Sequence, residues 1–233
     1  MRPAKAGVHD GLAYALWLPP PGDGRVTAGV VVLHGAGSCK ESHYDFARAA
    51  VALGFATLSF DQRGHGESDG PMDGRAIDDV VSIASLLRSE LDGSNARIAL
   101  RGSSMGGYLA LRAARPAGAG AVVAICPASA GGLRRALNDG ALRFDADSEA
   151  LGELLHHGDL QPAVGQLEIP ILLLHAQGDE QVPVQHSREL AATLRAPSSR
   201  LIELPGGHHR SIQRDEELQA VSLRWIEKAL ELR

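Results

Sequence analysis

Cysteine is nearly absent from this chain, with 2 in 233 residues, and aromatic side chains make up only 4% of it. Cys39 and Cys126 lie far apart, each beside an expected strand end, which argues against a disulfide framework and suits a reducing compartment. A basic surplus is missing too. The chain has 23 Lys and Arg against 28 Asp and Glu, a formal net charge of −5, so it lacks the electrostatic footprint of a nucleic-acid binder or a polybasic membrane anchor. No apolar run reaches the length of a membrane span, and the stretch from Met1 to Asp10 lacks the apolar core of a signal peptide. The expected setting is cytoplasmic, and the expected partner is a small molecule. Internal repeats are absent, as are the glycine-rich signatures G-x-G-x-x-G and G-x-x-x-x-G-K-[ST], so no nucleotide cofactor is expected. The ten histidines contain no His-Glu-x-x-His pattern. The neighbours His156-His157 and His208-His209 send adjacent side chains apart, so no metal is expected either.

What is present fits one globular domain over 1–233, since 44% hydrophobic content suffices for a substantial core. Continuous apolar, β-branched runs occur at Val30 to Leu33, Ala56 to Phe60, Ile98 to Leu100, Ala121 to Ile125, Ile171 to Leu174 and Leu201 to Leu204. Such runs suit strands covered on both faces. Helical patterns fall between them, at Tyr44 to Leu53, Ile77 to Leu91, Met105 to Ala114, His186 to Leu194 and Glu216 to Leu230. The alternation predicts an α/β fold with a mostly parallel, doubly wound sheet and helices on both faces. Leu12 to Leu18, bounded by prolines, reads as an edge strand of an antiparallel start, and Pro19 to Gly24 as a turn-rich loop. From Pro127 to Glu168 the chain runs about twice the usual length of a single crossover helix. Short helices are expected there at Leu133 to Leu137 and Glu149 to His156. This 127–168 insertion follows a strand's carboxyl end and reads as a short cap over the site.

The chemistry-bearing stretch is Arg97 to Arg115. An apolar strand leads into Gly102-Ser103-Ser104-Met105-Gly106-Gly107, and a helix begins at once. A residue at the apex of so sharp a turn is strained, and small neighbours are needed for strand and helix to pass closely. The turn presents the Ser104 hydroxyl above a helix N-terminus, where a nucleophilic serine belongs. Such a serine needs a base, and the base an orienting acid. Asp179 follows the Ile171 to Leu174 strand, with Glu180 as its neighbour and rival. His208 and His209 follow the last expected strand and the flexible Gly206-Gly207 pair.

These pieces together resemble the α/β-hydrolase superfamily, and the resemblance covers nearly the whole chain. It is carried by the Gly102 to Gly107 elbow, the His34-Gly35 turn, the loop Asp61-Gln62-Arg63-Gly64-His65-Gly66-Glu67-Ser68, the Gly178-Asp179 loop with Val182-Pro183, and Gly207-His208. The resemblance implies Ser104 as nucleophile, Asp179 as acid and His208 as base, since His208 directly follows the glycines. It also implies an oxyanion hole made of the backbone N–H groups of Ala36 and Met105, with Gly37 the alternative to Ala36. The Asp61 to Ser68 loop reads as structural, pinned by local hydrogen bonds beside the oxyanion turn. Ser103 reads as a packing residue.

The function expected is that of a serine esterase. It would cleave carboxylic esters of small to medium size through an acyl-enzyme, as a monomer or homodimer. A peptidase, thioesterase or acyltransferase would use the same triad, and a family member that binds a ligand without turning it over is the remaining reading.

Overall fold

The computed structural model describes residues 2–20, 28–91 and 96–231. Part of the loop expected at Pro19 to Gly24 therefore lies outside the described residues. Eight strands form one sheet in the order β1-β2-β4-β3-β5-β6-β7-β8. They are β1 (Lys5–His9), β2 (Leu12–Trp17), β3 (Ala28–Leu33), β4 (Ala56–Phe60), β5 (Arg97–Ser103), β6 (Ala121–Ile125), β7 (Ile171–Ala176) and β8 (Arg200–Leu204). The first two strands pair antiparallel to each other, and β2 pairs antiparallel to β4. From β4 to β8 every pairing is parallel. The α/β, mostly parallel sheet expected from the alternation is therefore what the chain forms.

The helices are α1 (Tyr44–Ala52), α2 (Ala76–Ser89), α3 (Met105–Ala113), α4 (Ala130–Asn138), α5 (Ser148–His156), α6 (Leu160–Val164), α7 (Val184–Ala191) and α8 (Glu216–Ala229). Because β3 to β7 are buried on both faces, the sheet separates two apolar layers. On one face Val31, Leu33, Leu58 and Leu100 meet Val80, Ile83 and Leu87 of α2 and Leu109 of α3. On the other, Val30, Val32, Val123 and Leu174 meet Phe46 and Ala50 of α1 and Leu223 and Ile226 of α8. Each fully buried aliphatic side chain of this kind contributes roughly 1.5–3 kcal/mol relative to exposure.

The topology places the site. After β3 the chain moves to β4 on one side, then returns to β5 on the other. That reversal opens a crevice at the carboxyl ends of β3 and β5, where open parallel sheets bind their ligands. The stretch between β6 and β7 carries α4, α5 and α6. Its middle, between α4 and α5, is tied down by an isolated bridge from Met72 to Ala146 and by Met72 N–H donating to the Asp145 carbonyl at 2.9 Å.

Candidate active site

Ser104 sits where β5 ends and α3 begins, at φ 53° and ψ −119°, a left-handed backbone that a side chain adopts only under constraint. The constraint is the close passage of strand and helix. A Cβ added at Gly102 would lie 2.0 Å from the Gly106 carbonyl oxygen, and one at Gly106 would lie 2.3 Å from that of Leu33. Only glycine fits either place. The elbow is then locked from β6, because Ser104 N–H donates to the Ile125 carbonyl at 2.9 Å and Ala128 N–H to the Ser104 carbonyl at 3.0 Å.

The loop after β3 lies opposite. Gly37 N–H donates to His65 Nε2 at 3.1 Å, so that group is already engaged. Among the described residues the Ala36 N–H has no acceptor, and Ala36 lines both cavities that open onto Ser104. Met105 N–H heads α3, where a helix leaves its first donors without intrahelical partners. Ala36 rather than Gly37 is thus the free donor on this loop.

Two histidines hold the loop. His34 is wholly buried; its Nδ1 donates to the Gly35 carbonyl at 2.9 Å, and its Nε2 accepts the Gln62 N–H at 3.1 Å. Burial, then the nearby His65 ring, pushes its pKa down to about 4. Burial also lowers the pKa of His65. The His65 Nδ1 donates to the Arg63 carbonyl at 3.0 Å, and its ring stacks on Phe144, centroids 4.2 Å apart. The Asp61 to Ser68 loop is structural as expected. Asp61 accepts the Lys40 N–H at 2.7 Å and the Lys40 ammonium at 2.8 Å, and Glu67 accepts the same ammonium at 2.7 Å. Burial works against the Lys40 charge, yet these carboxylates raise its pKa overall.

Asp179 follows β7, nearly buried. One carboxylate oxygen accepts the N–H groups of Gln181 and Val182, both at 2.9 Å. The other lies 2.7 Å from Nδ1 of His209 and 3.5 Å from Nε2 of His175. Burial alone would raise this carboxyl's pKa, but the two histidines and the Val182 N–H hold it well below the usual carboxylate range. The neighbouring Glu180 is exposed.

The histidine that reaches Asp179 is His209, which corrects the expectation of His208. Gly206 and Gly207 both adopt left-handed backbone, φ 75° and 74°, and carry the chain one residue further before it turns inward. His208 is exposed, its N–H donating to the Ser211 hydroxyl at 2.9 Å, while that hydroxyl donates to the His208 carbonyl at 2.8 Å. The His209 ring is only 9% exposed and lines the same cavities as Ser104.

His175 escaped the sequence reading. It ends the apolar run of β7, fully buried, with Nδ1 2.7 Å from the Ser187 hydroxyl and Nε2 2.9 Å from the Val182 carbonyl. The carbonyl can only accept, so Nε2 carries the proton and points it toward Asp179 as well. A lone histidine closing a buried strand was the available signal. Cys126, His175 and Asp179 bring possible ligand atoms within 4.8 Å of one another. Both ring nitrogens of His175 are engaged, however, and burial pushes the Cys126 thiol up to about 12. The group suits a hydrogen-bonded support for Asp179 rather than a metal's donor set.

Two cavities meet at Ser104 and His209. One, about 350 Å³, is walled by the loop after β3 and by residues 209–214. The other, about 520 Å³, runs under residues 128–143 and past Val182, Pro183 and His186.

A family model described as serine aminopeptidase, S33, matches residues 24–144, a little over half the chain, and a TAP-like protein model matches residues 156–224. With the eight-stranded sheet and its helices, this makes the chain a member of the α/β-hydrolase superfamily. The chain is 28% identical over 219 residues to the uncharacterised protein YfhR of Salmonella typhimurium, covering 86% of this chain and 71% of that protein. Among solved structures, the Paleococcus ferrophilus monoacylglycerol lipase superposes with a TM-score of 0.71 at 21% identity, covering 94% of this chain and 98% of that one. Est1E from Butyrivibrio proteoclasticus superposes with 0.73 at 20% identity, over 98% of each chain. At these identities the likeness is one of fold. Among the described residues no helix is long and apolar enough to cross a membrane.

Proposed function

We propose that the protein is a serine esterase that cleaves small to medium carboxylic esters through an acyl-enzyme. The observation that carries this reading is the Asp179–His209 hydrogen bond of 2.7 Å, with His209 and Ser104 facing one cavity and Ser104 at a strained elbow. Asp179 accepts the Nδ1 proton of His209, which leaves Nε2 unprotonated and able to take the Ser104 proton. The Ser104 oxygen then attacks the ester carbonyl. Its developing oxyanion meets the N–H groups of Ala36 and Met105, a contribution of roughly 3 kcal/mol per donor. His209 passes its proton to the leaving alcohol, activates a water on the acyl-enzyme and returns the proton to Ser104 as the acid departs. His175 acts through Asp179, as a positioning residue.

Residues 127–168 serve in this reading as a short cap, with Leu133 and Leu142 in the roof of the larger cavity. A cavity of about 520 Å³ suits modest acyl or alcohol groups better than long lipid chains. The cytoplasmic setting, with Cys39 and Cys126 unpaired, belongs to the same proposal.

The S33 aminopeptidase description raises peptide cleavage as the competing reading. An aminopeptidase must hold its substrate's ammonium group, for which carboxylates beside the nucleophile are the natural partners. The lining of the two cavities offers Arg135, Arg143, Arg210 and Arg214 against one carboxylate, Asp139. That charge balance favours esters over amino-terminal peptides. Hydrolysis of p-nitrophenyl esters from acetate to laurate, run beside alanyl and leucyl p-nitroanilides, decides between them. The expected result is ester cleavage falling at least about tenfold from butyrate to laurate, with no anilide turnover. Anilide cleavage outpacing ester cleavage would make the protein a peptidase.

A further inference from the structure

The two cavities at Ser104 differ in chemistry. The larger mixes the apolar side chains of Leu133, Leu142, Val182 and Pro183 with Arg135, Arg143 and the carboxylate of Asp139, and shares Arg210 with the smaller. The smaller, about 350 Å³, has Arg210 and Arg214 at its rim and no aspartate or glutamate in its lining. Among the described residues, no carboxylate pairs with either arginine.

Among the described residues, two buried polar atoms behind this wall also lack hydrogen-bond partners. The Ser103 side chain lines the smaller cavity, only 4% exposed, and its hydroxyl makes no hydrogen bond. A buried hydroxyl without a partner is costly, and a ligand atom in the cavity would satisfy it. Arg101, one strand position before Gly102, is 1% exposed, and its Nε is also unpartnered. Its guanidinium stacks 4.0 Å from the Phe46 ring centroid, and its Nη2 donates at 3.3 Å to the carbonyl of Gln213, a wall residue between the rim arginines in sequence. A guanidinium buried without a carboxylate is poorly screened by salt and projects its charge into the nearest cavity. Other charged or titratable groups around it share its sign or are held neutral: Arg214 is basic, and burial followed by the charge of Arg101 keeps His43 well below its ordinary pKa.

We propose that the smaller cavity is an anion-receptive arm, and that the enzyme's substrates are esters carrying a carboxylate a few atoms from the scissile carbonyl. The inference rests on Ser104 acting as an esterase nucleophile. Arg210 and Arg214 supply the planar forked donors that suit a carboxylate, Ser103 supplies a hydroxyl donor, and Arg101 supplies the standing field. The carboxylate can lie on the acyl side, as in a monoester of a dicarboxylic acid, or on the alcohol side, as in an ester of a hydroxy acid.

The test compares matched pairs after correction for hydroxide-catalysed rates: mono-p-nitrophenyl adipate against p-nitrophenyl hexanoate for the acyl side, and 3-carboxyphenyl butyrate against phenyl butyrate for the alcohol side. One pair is expected to show a kcat/KM preference for the anionic ester of about tenfold or more, weakened in high salt. In the Arg210→Gln/Arg214→Gln double variant that ratio is expected to fall to within about twofold of unity. A preference for the neutral ester in both pairs, or an anionic preference that survives in the double variant, overturns the proposal. Should the wild type cleave no ester at all, the esterase reading fails on its own, and calorimetric binding of adipate still tests the arm. Binding that weakens tenfold or more in the double variant upholds it, and binding that is absent or unchanged overturns it.

Discussion

Replacement of His209 by alanine is expected to lower kcat for ester hydrolysis by a factor on the order of 10⁴ or more, whereas His208→Ala is expected to stay within about threefold of wild type. The two residues are neighbours of identical chemistry, so the contrast isolates position. His209 has the short bond to a buried carboxylate and faces Ser104 across the cavity. His208 is exposed, held through its backbone by Ser211. Steady-state rates on p-nitrophenyl butyrate suffice. Circular dichroism on both variants separates a lost base from a lost fold. A large loss in His208→Ala with His209→Ala still active would reverse the assignment.

The second large effect is on stability in acid. His34 is buried and held neutral by fixed partners on both ring nitrogens, with its pKa near 4 in the folded chain against an ordinary 6.5. Above pH 6.5 neither the folded nor the unfolded chain protonates it, and it carries no penalty. Below that, the unfolded chain takes up a proton that the folded chain refuses, so stability falls with pH until about pH 4. At pH 5 this one residue accounts for about 2 kcal/mol of lost stability relative to pH 7.5. His43, His65 and His186, whose pKa values burial also lowers, push in the same direction. The His34→Gln variant isolates the single group. Urea unfolding at the two pH values is expected to show the stability gap between wild type and variant changing by about 2 kcal/mol in the variant's favour at pH 5. A gap that does not move with pH contradicts the neutral, buried His34.

Much of this architecture is legible in the sequence. The runs Ala56 to Phe60 and Ala121 to Ile125 match β4 and β6 residue for residue, because strands covered on both faces leave no charged position, and in β4 only the small hydroxyls of Thr57 and Ser59, to blur their ends. Elsewhere polarity misled. The run Ile98 to Leu100 stops at a charged residue, yet β5 continues through Arg101 to Ser103, since the guanidinium is buried against an aromatic ring instead of ending the strand. The first strand, Lys5–His9, is largely exposed and has no apolar alternation. It forms by pairing with β2 across Asp10-Gly11, both at positive φ, and that Asp-Gly pair was the hairpin signal to read. The five-residue helix Leu160–Val164 is too short for periodicity to reveal.

The site was legible in its parts and misread in one register. Glycine spacing alone marked Ser104, since the close strand–helix passage admits no other residue at Gly102 or Gly106. The histidine that meets Asp179 was the exception. Two glycines in left-handed conformation leave the direction of the next side chain undetermined by sequence, and only the Ser211 hydroxyl, which fixes the His208 backbone, settles which ring turns inward. His175 reaches Asp179 four residues on, and Asp179 in turn reaches His209 a further 30 residues on; no linear motif encodes such an arrangement.

The central claim is that Ser104 carries an acyl group during turnover. Rapid mixing of excess p-nitrophenyl butyrate with the enzyme, followed by acid quench and peptide mass spectrometry, tests it most directly. A butyryl adduct is expected on the peptide containing Ser104, absent in Ser104→Ala, which releases no p-nitrophenol above the background rate. Turnover by Ser104→Ala at a rate near wild type, or an adduct on a different residue, would contradict it.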